Sequence, residues 1–208
     1  MFSSIIGKKI GYTRIFDDQG NAVPVTVIQA GPCKIVNIKT LEKDGYEAVQ
    51  LGYVTTVEGK LNKPLVSYFK KQGVELYKHL KEFRSDNIKD VKINDIVTVE
   101  TFTIGELVSV SGFSKGKGFQ GVVKRYGFHG GPGSHGSMFH RQPGSIGSNT
   151  FPGRVIKNKK LPGRMGNVKT TIKNLKVVKL IPEKNVILIR GAVPGSVNTL
   201  IEIKKVQA

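Results

Sequence analysis

Fourteen lysines and arginines fall between Glu106 and Glu183 with no aspartate or glutamate among them: Lys115, Lys117, Lys124, Arg125, Arg141, Arg154, Lys157, Lys159, Lys160, Arg164, Lys169, Lys173, Lys176 and Lys179. Of the formal net charge of +18, 14 lie in these 76 residues, while the other 132 carry 19 basic and 15 acidic groups. Unrelieved like charge destabilises a compact state unless a partner neutralises it, so the stretch requires a polyanion. Residues 111–170 also hold 14 glycines and 4 prolines. Glycine lets a backbone approach another chain closely, Lys and Arg reach phosphate oxygens, and interspersed Phe, Tyr, His and Arg offer flat faces to unstacked bases. Together these residue types suit a folded RNA surface.

Other chemistries fit less well. Residues 116–123 (GKGFQGVV) match G-x-G-x-x-G-x-V, and 131–136 (GPGSHG) match a dinucleotide fingerprint. No nearby acid could hold magnesium or ribose, and no V-A-I-K, H-R-D or D-F-G element occurs, so neither match indicates a nucleotide-dependent enzyme. His129, His135 and His140, spaced six and five apart, lack a Cys or carboxylate companion and read as polar contacts rather than zinc ligands. Ser145 sits in G-S-I-G, outside the nucleophile-elbow frame, and reads as a turn or phosphate contact. Neither a cofactor nor a metal is expected. The lone Cys33 cannot form an internal disulfide, which suits a reducing compartment, the cytoplasm by default; it reads as a core residue and His79 as a partly exposed one.

The elements around this stretch read as short strands. Residues 22–29 (AVPVTVIQ), 33–40 (CKIVNIKT) and 47–53 (EAVQLGY) suggest an antiparallel meander, with Gly31-Pro32 as a turn. Pro24 lacks a donor, so that strand is expected at an edge or with its proline at an unpaired position. Residues 60–90 suggest an insertion with one or two helical turns, starting near Pro64 and stopping at Gly73. Strand-like alternation resumes over 91–103 and 107–111, and three further runs follow at 170–181, 185–190 and 199–204. Such spacing suggests a small barrel or sandwich. Within it the basic stretch is an excursion, too poor in apolar residues to offset an ordering cost of about 1 to 2 kcal/mol per residue, and without evident secondary structure. No 18-residue apolar run exists, the N-terminus lacks the pattern of a signal or transit peptide, and no basic amphipathic helix points to a membrane surface.

Several of these motifs, taken in order, resemble the family of universal large-subunit ribosomal protein three, in its bacterial form. They are 6–11 (IGKKIG) with 13–16 (TRIF), 114–124 (SKGKGFQGVVK), His135-Gly136, His140-Arg141 with 143–147 (PGSIG), 152–155 (PGRV), 165–167 (MGN) and 190–195 (RGAVPG). The resemblance implies a mainly β fold: a six-stranded translation-protein-type β-barrel from 1–112 with 166–208, a small mixed α/β insertion near 60–90, and a long extended basic loop, 113–165. It implies direct binding to 23S rRNA near its 3′ region, early action in subunit assembly, and a loop that reaches toward the peptidyl transferase centre. The implied protein partners are large-subunit proteins fourteen and nineteen; no DNA or membrane partner and no catalytic residue are implied. Carried onto this chain, the rRNA-binding set is Lys8, Lys9, Arg14, Lys115, Lys117, Lys124, Arg125, His129, His135, His140, Arg141, Ser145, Asn149, Arg154, Lys157, Lys159, Lys160 and Arg164, with Asn149 and Arg154 near the tip. Thr150 stands where some relatives carry a methylated glutamine, and Tyr12, Gln142 and Leu161-Pro162 also depart from the family pattern. A free-standing RNA chaperone is the alternative.

Overall fold

Six antiparallel strands close into a barrel. The structure is a computed structural model that describes residues 3–85 and 91–206. In chain order its strands are β1 (Ser4–Phe16), β2 (Ala22–Ala30), β3 (Cys33–Lys39), β4 (Ala48–Thr55), β5 (Tyr77–Arg84), β6 (Ile96–Val97) and β7 (Leu107–Phe113). An excursion containing β8 (Gly118–Gln120) and β9 (Gly163–Met165) follows, and then β10 (Lys169–Ile181), β11 (Val186–Arg190) and β12 (Leu200–Lys205). The barrel order is β1-β12-β7-β10-β11-β2, closed by β2 on β1. The mainly β, six-stranded barrel is the fold expected. The chain divides into two units, one of residues up to Phe113 with those from Lys169 onward, the other Ser114–Val168.

The larger unit is built on alternation. Val108, Val110, Val177, Ile187, Ile189, Ile201 and Ile203 are all buried in one cluster. Each contributes about 1.5 to 3 kcal/mol relative to leaving it exposed. The same cluster continues into a second sheet, ordered β5-β4-β3-β6, through Ile35, Val49, Leu51 and Phe83. Thr26, fully buried, donates its hydroxyl to the Gly191 carbonyl at 2.6 Å, so its polar group costs little.

Several expectations are corrected. The meander expected over 22–53 is divided, because β2 belongs to the barrel while β3 and β4 pair in the second sheet. Side chains at the Gly31-Pro32 turn cannot report which sheet follows it. The helix expected near Pro64 runs Lys63–Gln72 and stops at Gly73, whose N–H bonds Phe69 and Lys70 carbonyls. Residues 77–84 of the same insertion, however, form strand β5 against β4, while 86–90 lie outside the described residues. Only Tyr77 and Phe83 of that strand are buried, and Lys78, Lys81, Glu82 and Arg84 erase its alternation. Over 91–103 only Ile96–Val97 is a strand, followed by a short 3-10 turn, Val99–Thr101. Pro24 lies in a barrel strand rather than at an edge, but beyond the end of the β11 ladder, where its carbonyl accepts from Gly191 N–H and its missing donor leaves no gap.

Candidate nucleic-acid interface

Residues 114–168 are held at their base by backbone pairing rather than by a core. Ser114 N–H donates to the Val168 carbonyl at 3.0 Å and Lys117 N–H to Met165 at 2.9 Å. β8 and β9 then pair as Gly118↔Met165, Phe119↔Arg164 and Gln120↔Gly163. Gly166 is required here: its φ is +73°, and a Cβ would strike the Lys115 carbonyl oxygen. A short helix, Val122–Tyr126, ends on Gly127. The stretch therefore has secondary structure that composition did not announce. Among its described residues only Val122 is buried, at 1% exposure. One buried valine sets about 1.5 to 3 kcal/mol against an ordering cost of about 1 to 2 kcal/mol for each residue, so a buried core contributes little to holding this conformation.

Two of the expected contacts are occupied within the protein. The Lys9 ammonium donates to the carbonyls of Val193 at 2.7 Å and Gly195 at 3.1 Å, tying β1 to the loop before β12. Arg125 donates from Nη1 to the Leu161 carbonyl at 2.6 Å, with its guanidinium 4.9 Å from the Tyr126 ring centre. It thereby clamps the two limbs of the stretch together, and it lies so close to Gly163 that a Cβ there would stand 2.7 Å from Nη1.

The others face outward. Arg14, Lys115, Lys117, Lys124, His129, His135, His140, Arg141, Ser145, Asn149, Arg154, Lys157, Lys159, Lys160 and Arg164 are exposed, and Lys8 is half-buried. Ser145, Arg154 and Lys159 come together around one cleft of about 340 Å³, where Ser145 donates its hydroxyl to the Gly147 carbonyl at 3.0 Å. His129 joins Phe128 and Phe139 around another of about 460 Å³. All described ion pairs lie in the larger unit, so the ten lysines and arginines of 114–168 carry uncompensated charge. Beside them Phe119 is 77% exposed, Met138 86% and Phe151 88%. Charge does not mark these three; the signal they carry in the sequence is a large apolar side chain outside any helical or strand period.

In the larger unit the buried Cys33 thiol donates to the Ile6 carbonyl at 3.4 Å. Burial pushes its pKa up to about 12, against a smaller opposing effect of that hydrogen bond, so it is an inert core group.

A barrel bearing a cation-rich, acid-free segment with almost no core of its own defines a class of protein suited to binding a polyanion such as RNA. The model of the family described as ribosomal protein L3 matches residues 70–185, more than half of the chain and all of the acid-free unit. The chain belongs to the ribosomal protein L3 family. It is a structural protein of the large ribosomal subunit that binds rRNA, its role is not enzymatic, and its place is in the ribosome.

Proposed function

We propose that the chain is the bacterial-type member of this family, and that it binds 23S rRNA directly near the 3′ region and joins the large subunit early in assembly. In this reading the segment 113–165 threads between RNA helices toward the peptidyl transferase centre, with Asn149 and Arg154 nearest the catalytic RNA. Large-subunit proteins fourteen and nineteen are its neighbours. The observation that carries the reading is the unbalanced unit, with ten cations, no acid and one buried side chain in Ser114–Val168. Released counterions and stacking on exposed rings supply what that missing core does not.

Chemical protection mapping of 23S rRNA, with and without the full chain, tests it. Protections are expected in the 3′ region and, for the exposed segment, at the peptidyl transferase loop. Protections confined to scattered single-stranded sites would favour a general RNA chaperone instead.

A further inference from the structure

Strand β10 carries lysines at 169, 173, 176 and 179. In a regular strand these spacings would turn Lys176 toward the face opposite the other three. Two register shifts prevent this, one between Ile172 and Leu175 against β7, the other between Val177 and Lys179 against β11. Each changes which face the following residues meet; Asn174 takes the left-handed conformation in the first, at φ +59°. As a result Leu175, Val177 and Leu180 pack on the core while all four lysines stay exposed.

The neighbouring surface fits the same ligand. Val108 and Val110 of β7 point into the core, which turns Ser109 and Ser111 outward. Ser111 Oγ lies 2.8 Å from Thr171 Oγ1. The two acids at the margins are already engaged: Glu202 by Lys169 at 2.7 Å and Lys81 at 3.3 Å, Glu106 by Lys205 at 3.0 Å. Among the described residues, Lys173, Lys176 and Lys179 form no ion pair. At about 3.3 Å per residue, they span about 20 Å of strand.

We infer that the outer face of β7 and β10 binds the sugar-phosphate backbone of RNA. The three free lysines meet phosphates, and the hydroxyls of Ser109, Ser111 and Thr171 meet phosphate or 2′-hydroxyl oxygens. Lysine is a point charge on a flexible stem, so this face binds backbone without reading base sequence. The inference rests on the RNA-binding reading above and adds to it a second surface, on the larger unit.

The test measures binding of the full chain to a transcript of the 3′ part of 23S rRNA across a salt series. The variant K173Q/K176Q/K179Q should flatten the slope of log K against log salt by about 2 to 3. The control K43Q/K60Q/K71Q, at exposed lysines elsewhere on the larger unit, should leave it unchanged, and K173R/K176R/K179R should retain the original slope. An unchanged slope in the glutamine variant, with steep binding by the unaltered chain, overturns this inference. Loss of subunit incorporation by that variant with an unchanged RNA slope overturns it in favour of an acidic protein partner. No salt-dependent binding by the unaltered chain overturns both readings.

Discussion

Phe113 and Lys169 face each other as a pair in the β7–β10 ladder, although all of Ser114–Val168 lies between them in sequence. The barrel is therefore closed by residues on either side of the acid-free unit, and none of its buried core comes from within that unit.

Replacing Ser114–Val168 by a tight Asn-Gly turn should leave a folded barrel, since such a turn suits the twist of an antiparallel pair. A single cooperative thermal transition followed by circular dichroism is the expected outcome. A broad, non-cooperative melt would show that the unit belongs to the core.

Within the acid-free unit, Arg125→Ala should loosen both limbs. It removes the bond to Leu161 and the contact with Tyr126, at a cost of about 1 to 3 kcal/mol for the charged hydrogen bond. Amide exchange should accelerate over 122–126 and 161–165, and Arg125→Lys should not restore protection, because it lacks the planar fork. Equal exchange in all three proteins would remove the clamp.

Two apolar truncations should part company. Ile189 is fully buried, so Ile189→Ala should cost about 2 to 5 kcal/mol in urea unfolding. Phe151 is 88% exposed, so Phe151→Ala should leave stability unchanged and weaken RNA binding by about 1 to 3 kcal/mol if a base stacks on it. A stability loss at Phe151, or none at Ile189, would contradict the assigned core.

Cys33 should resist alkylation at pH 8 in the folded protein and react readily in urea, because burial holds its pKa near 12. Raised above the unfolded value near 9, the folded pKa makes a contribution to stability that is complete below pH 9 and lost progressively from there to about pH 12. Rapid labelling without denaturant would place the thiol at the surface.

Legibility in the sequence followed the range of the interactions. β10, β11 and β12 show because β-branched alternation is local, and the basic stretch shows because charge needs no geometry. β1 does not: Gly7, Lys8, Lys9 and Gly11 break its alternation, and its length comes from pairing two different partners, β12 and β2. The motif 6–11 (IGKKIG) puts Lys9 in the implied rRNA-binding set, yet its ammonium binds carbonyls 184 and 186 residues away. The lysines of β10 are legible in the sequence as charge but not as one row, since the two register shifts that align them depend on β7 and β11.

The salt dependence of binding to a 23S rRNA fragment, compared between the full chain and the chain lacking Ser114–Val168, tests the central claim most directly. If about seven of the fourteen cations from Lys115 to Lys179 meet phosphates, the full chain should show a slope of about −5 to −6, and the shortened chain about −2 to −3. A flat response in the full chain, or equal slopes in both, would contradict the claim that this unit is held by RNA.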